Sequence, residues 1–242
     1  MDLTDLDAQV SAEALEAIET AAKDFPGFHM TYFGSIAHQI GGFKEELAKL
    51  YARTVYQAGN GKISKEDADT IGRYNADQFV KKHGLDQWKN CFGWSLLVPA
   101  AVLPGSAGEA ASGPLRYCGV GLNEDFGGNY TKFMTTSERN VASGFHPIGC
   151  GSPKATVDHE IGHEIDRLIG AKNDPIINGL YHEMKRNGDA GSTLSVYAEE
   201  NVMEFIAEAY SEYRNNPQPR RYARAVYLRL KVLWEQRGGG AQ

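Results

Sequence analysis

The chain has 242 residues, of which 42% are hydrophobic and 23% charged, enough to bury one sizeable core and against wholesale disorder. A formal net charge of −6 argues against a nucleic-acid-binding surface, which needs clustered Lys and Arg. Only Arg220 to Lys231 is locally basic, and it reads as a solvated helix face. Three cysteines, Cys91, Cys118 and Cys150, are too few and too scattered for a disulfide framework or a zinc knuckle, and read as buried thiols in a reducing compartment. The N-terminus, MDLTDLDAQV, lacks the apolar core of a signal peptide. The most apolar run, Cys91 to Leu103, is too short to span a bilayer and reads as a buried strand or core-covering loop. The expectation is an intracellular protein with no membrane partner.

In chain order, a first helix is expected from Ser11 as N-cap to Pro26-Gly27, with Leu15, Ile18 and Ala22 on its apolar face. Alternation of Phe28, Met30 and Tyr32 suggests a strand over Phe28 to Ile36. Phe43, Leu47, Leu50, Tyr51 and Val55 recur at helical spacing, and Gly59-Asn60-Gly61 stops that helix. Ser64 with Asp67 opens the next helix, which ends at His83-Gly84. This pair, residues 43–84, reads as a helical insertion without chemistry of its own. A loop over 104–114, a strand from Leu115 to Leu122 and a short helix from Thr131 to Val141 follow. Ser152 and Pro153 open the best-marked helix, which carries Ile161, Ile165, Leu168 and Ile169 inward and ends at Gly170. Further helices are expected from Asp174-Pro175 to Gly188, from Glu199 to Arg214, and after Pro219 with Tyr222, Val226, Leu230 and Leu233 inward. Residues 238–242 read as a flexible tail. The order of elements is an α+β pattern with the sheet in the N-terminal half, in one domain over 1–237.

Residues 159–163 read HEIGH. Two His at i and i+4 share one helix face and can grip one metal ion from one side, while Glu160 reaches a water on that metal without ligating it. The competing reading is a surface helix with two solvated His. A catalytic zinc takes three protein ligands and leaves a fourth position for water. A third His six residues after His163 is excluded, because that position is Ile169. Glu204 and Glu208, in NVMEFIAEAYSEY, are the acidic alternatives: one could ligate while the other supports a His from behind, or both could be solvated. Asp166 could hold a ligand His in its tautomer, serve as a cap or stand solvated. His146 reads as an ordinary hydrogen-bonding residue. His29, His38, His83 and His182 have no partner at metal spacing, and Trp88, Trp94 and Trp234 read as core aromatics.

The segment SVYAEENVMEFIAEAY (195–210), following HEIGHEID (159–166), resembles the zinc endopeptidase domain of anthrax lethal factor and the related clostridial Pro-Pro endopeptidases. That resemblance implies a zincin-like metallopeptidase fold with a small mixed sheet packed on the HExxH helix and a mostly helical C-terminal part. It implies Glu204 as the third zinc ligand, Tyr197 as a transition-state stabiliser and Glu208 as a support behind a His. The stretch ASGFHPIGCGSPKATVDHEIGHEID is also similar to phage and prophage structural proteins that carry such a peptidase domain. The similarity covers roughly residues 110–215. It implies a zinc-dependent endopeptidase acting on a protein or peptide, intracellular or virion-associated, with phage structural proteins as possible partners. The alternatives are a phage-particle assembly protein that keeps the metal without turnover, and a secreted effector. The strand Leu115 to Leu122 could pair with an extended substrate or be purely structural.

Overall fold

A computed structural model describes residues 1–96, 119–188 and 193–238. Its elements are α1 (Ala8–Asp24), β1 (Tyr32–Ser35), α2 (Ile36–Ala58), α3 (Lys65–Lys82), β2 (Gly93–Leu96), β3 (Gly119–Leu122), α4 (Glu124–Gly127), α5 (Tyr130–Ala142), α6 (Pro153–Ile169), α7 (Pro175–Arg186), α8 (Val202–Asn215) and α9 (Arg221–Gln236). The protein is α+β and mostly helical, with a small mixed sheet. The chain forms two compact units, Met1–Thr4 with Met30–Glu124, and Asp5–His29 with Asp125–Gln242.

In the first unit the strand order is β1-β3-β2, with β1 parallel and β2 antiparallel to β3. The strand expected over Phe28 to Ile36 is shorter, because Ser35 caps α2 by accepting from the His38 N–H and so ends β1. The loop 104–114, the expected strand residues 115–118 and the tail 239–242 lie outside the described residues. Helices α2 and α3 bury Phe43 and Leu47 against Ala76, Phe79 and Val80, with Leu50, Tyr51, Trp88 and Trp94 at the margin of that core. Both helices start where their serines dictate, Ser64 accepting from the Asp67 N–H.

In the second unit α1 begins at Ala8, four residues before the start that a Ser11 cap would give. Asp7 is the cap and accepts from the Gln9 N–H. The buried face is correspondingly different: Val10, Ala14, Ala17 and Ala21 turn inward, Leu15 and Ile18 are half-buried and Ala22 is exposed. Small side chains on that face let α1 lie close on α6. An aromatic cluster fills the centre. The Phe25 ring lies 6.0 Å from Tyr210, 6.0 Å from Tyr227 and 5.4 Å from Trp234. Trp234 Nε1 donates to the Pro26 carbonyl at 3.1 Å, so the indole is buried without losing its hydrogen bond. On α9, Tyr222, Val226 and Leu230 are buried as expected, while Trp234 replaces Leu233 as the last inward residue. The helix carrying HEIGH is covered within this unit by α1 and α8; the sheet belongs to the other unit.

Candidate metal centre

Helix α6 opens as its residues dictate. Ser152 is extended and accepts from the Ala155 N–H, Pro153 occupies the first turn, and Gly170 closes the helix in the left-handed region at φ 67°. Val157, Ile161 and Ile165 are fully buried, while Leu168, beside the C-cap, lies at the surface instead of continuing the stripe. His159 and His163 share a different face, four residues apart.

Helix α8 begins at Val202, three residues later than expected. Asn201 is extended, and its side chain accepts from the Met203 and Glu204 N–H groups, which fixes the start there. A separate 3-10 turn, Tyr197–Glu199, precedes it. Glu204 therefore sits in the first turn of a helix, where unpaired N–H groups favour a carboxylate.

The two helices run antiparallel. Ser211 Oγ donates to the Ala155 carbonyl at 2.8 Å, Gly162 meets Ala207, and His163 faces Glu204, so partner numbers fall on α8 as they rise on α6. At the crossing, a Cβ on Gly162 would stand 2.8 Å from the Ala207 Cα. The glycine in HEIGH is what lets the backbones meet this closely. Asp158, fully buried, fastens one end by accepting from Asn215 Nδ2 at 2.9 Å and pairing with Lys154 and Arg214.

This geometry brings His159, His163 and Glu204 together. Their Nε2 atoms are 3.1 Å apart, and Glu204 Oε2 lies 3.3 Å from each. That oxygen is buried and has no hydrogen-bond partner among the described residues. Two ring nitrogens and a carboxylate oxygen crowded around one point, with an acceptor left unsatisfied, suit a shared cation better than a hydrogen-bond network. Among the described residues no other group of His, Cys, Asp or Glu side chains comes together this way, and His29, His38, His83 and His182 stand outside it.

Glu208, one turn along α8, lies behind His159. His159 Nδ1 is 2.8 Å from Glu208 Oε1, at contact distance but with its N–H off the line to the oxygen. Glu208 also meets His146 Nδ1 at 3.1 and 3.3 Å and accepts from Ser195 Oγ at 2.7 Å. Tyr197 stacks on His159, with ring centres 5.9 Å apart and planes at 19°. Tyr197 also stacks on Phe145, with ring centres 5.1 Å apart. Asp166 accepts from the Lys172 backbone N–H at 2.5 Å, in the turn after α6. Glu160 is buried, close enough to His159, His163 and Glu204 to feel their charges.

Burial disfavours charge throughout the cluster, and the neighbours decide the outcome. It pushes the Glu160 carboxyl up, against the pull of His159 and His163. It acts the same way on Glu204 and Glu208, but there the imidazoles outweigh it and hold both carboxyls well below the usual range. Burial also raises the Tyr197 phenol, helped by the charges of Glu204 and Glu160. His159 is raised despite burial, because Glu204 and Glu208 flank it. The cluster thus demands positive charge on the Nε2 side, which either a proton or a metal cation supplies.

Sequence reasoning gave no role to two residues that shape this site, Gly162 and Ser195, and met Phe145 only inside the phage-like stretch ASGFHPIGC. A glycine inside an apolar helical pattern signals close backbone approach, so Gly162 was findable. Ser195 carries no such local mark. Comparison with protein-family models, with curated proteins and with solved structures finds no match.

Proposed function

We propose that the chain is a zinc-dependent metalloendopeptidase with a zincin-like fold, in which His159, His163 and Glu204 hold the metal and Glu160 is the general base. The observation that carries this reading is the convergence of the three ligand atoms beside a buried glutamate. A tetrahedral zinc with ligands at about 2.0–2.1 Å sets neighbouring ligand atoms roughly 3.3 Å apart, close to the 3.1 and 3.3 Å separations here. The donor set, two imidazoles and one carboxylate, is also one that zinc accepts in hydrolytic sites while keeping a position open. The same assignment is the one implied by the likeness to lethal-factor-type peptidases.

When bound, zinc supplies a Lewis acid that acidifies a water and polarises a peptide carbonyl. Glu160 takes the proton from the attacking water and returns it to the departing amine. Tyr197 keeps its phenolic proton and donates a hydrogen bond to the developing oxyanion. Glu208 presents a carboxylate to His159 Nδ1, favouring the tautomer whose Nε2 lone pair faces the metal.

The test is metal content and cleavage of a peptide library, and of neighbouring particle proteins, by wild type, Glu160→Gln and Glu204→Ala. Wild type and Glu160→Gln should carry about one zinc per chain, only wild type should cleave, and Glu204→Ala should lose the metal. Freshly purified protein without near-stoichiometric zinc would refute the proposal. Tight zinc without any cleavage would favour the assembly-protein alternative.

A further inference from the structure

The loop between α5 and α6 contains Phe145 and His146, which the mechanism above does not use. The loop is tied to the segment bearing Tyr197 by two backbone hydrogen bonds, Val196 N–H to the Gly144 carbonyl at 2.9 Å and Tyr197 N–H to the Phe145 carbonyl at 3.2 Å. Phe145 and His159 both stack on Tyr197, with ring centres 5.1 and 5.9 Å from the phenol. His146 stands edge-on to Tyr197, with ring centres 5.8 Å apart at 90°.

The Glu208 carboxylate can only accept hydrogen bonds, and it is almost fully buried. His146 must therefore present Nδ1–H to it. The second carboxylate oxygen is taken by Ser195 Oγ, which in turn accepts from the Ala198 N–H and so pins the 3-10 turn that carries Tyr197. One carboxylate thereby connects the metal-facing imidazole, the loop histidine and the turn with the phenol. Remove the His146 contact and an almost fully buried anion is left short of a donor, which frees it to shift.

We propose that His146 is a positioning residue: through Nδ1 it fixes Glu208, and Glu208 in turn fixes His159 and, by way of Ser195, Tyr197. The inference rests on the metallopeptidase reading of the site, which alone gives the orientation of His159 and Tyr197 a purpose.

The test compares His146→Ala, His146→Asn and His146→Gln in the full chain. Asn offers an amide N–H where Nδ1 stands; Gln offers one where Nε2 stands. Zinc affinity is read by chelator competition, turnover by kcat and KM, and the tautomer of His146 by imidazole nitrogen-15 shifts in metal-free wild type. The expected result is a ~10- to 100-fold loss of zinc affinity and a fall in kcat in His146→Ala. His146→Asn should come back to within a few-fold of wild type, and His146→Gln should behave like the alanine variant. Unchanged affinity and kcat in His146→Ala would overturn the proposal, as would rescue by Gln but not Asn, which would point to chemistry at Nε2. A neutral His146 with its proton on Nε2 and a bare Nδ1 in wild type would overturn it without any variant. Wild type that binds no zinc yet keeps the Nδ1 proton would instead sink the peptidase reading, leaving the hydrogen-bond arrangement intact.

Discussion

Replacing Gly162 by Ala puts one methyl group into the crossing of α6 and α8. The new Cβ would stand 2.8 Å from the Ala207 Cα, 3.3 Å from the Tyr210 Cβ and 3.5 Å from the Ala207 Cβ. Carbon atoms prefer about 3.5–4.0 Å, so α8 must retreat by roughly 0.7–1.2 Å. Two terms then oppose one another in stability. Ala is the better helix former by about 1 kcal/mol, and overpacking costs about 1–3 kcal/mol, so the net loss is about 0–2 kcal/mol. Metal binding has no such offset. Glu204 rides on α8 and both His ride on α6, and ligand distances tolerate only about ±0.2 Å. A relative shift several times that size should weaken zinc binding by ~10- to 100-fold. The assay is chemical denaturation of the metal-free protein beside chelator competition with zinc. A Gly162→Ala protein stabilised by about 1 kcal/mol with wild-type zinc affinity would show that the helices do not meet as closely as described.

Tyr197→Phe keeps the stacking on Phe145 and on His159 but deletes the hydroxyl; kcat should fall ~100- to 1000-fold with zinc affinity unchanged, and an unaffected kcat would remove Tyr197 from catalysis. Asp174 caps α7 and pairs with Arg229 at 2.7 Å, and Arg229 holds its carboxyl below the usual value. Because the folded-state value is the lower one, its stabilisation is present above the unfolded carboxylate range and is lost as pH falls through the folded value. Asn also caps helices, so Asp174→Asn should be less stable than wild type at neutral pH and converge with it in acid; denaturation midpoints that stay separated in acid would contradict this. Burial pushes the Cys150 thiol well up, so alkylation followed by mass spectrometry should label the exposed Cys91 much faster, with the difference erased in denaturant.

What the sequence made legible depended on whether the signal was local. Caps were: Ser64, Ser152 and Asp174 start their helices where expected, because a side-chain oxygen three residues before a free N–H acts within one turn. Where two caps competed, the choice was hidden. Asp7 prevails over Ser11 in α1, and Asn201 delays α8 past the acidic run Glu199-Glu200. The face of α1 was misread because its small residues, not its large ones, turn toward α6, a preference set by the partner helix. At the centre, spacing alone left Glu204 and Glu208 interchangeable. The antiparallel crossing separates them, setting Glu204 at the Nε2 side of both imidazoles and Glu208 at the Nδ1 side of His159. The association of Phe145, His146 and Ser195 with that centre spans up to 62 residues of chain and left no periodic trace.

Glu204 belongs to the opening turn of its helix, held there by a single asparagine. Terminal turns are the first part of a helix to fray. A ligand placed there makes loading and local ordering one equilibrium: an ion that grips Glu204 also anchors the strip of backbone leading to Tyr197, and its departure loosens both at once. Amide exchange over residues 197–204 should therefore slow on adding zinc while the middle of α6 stays as protected as before.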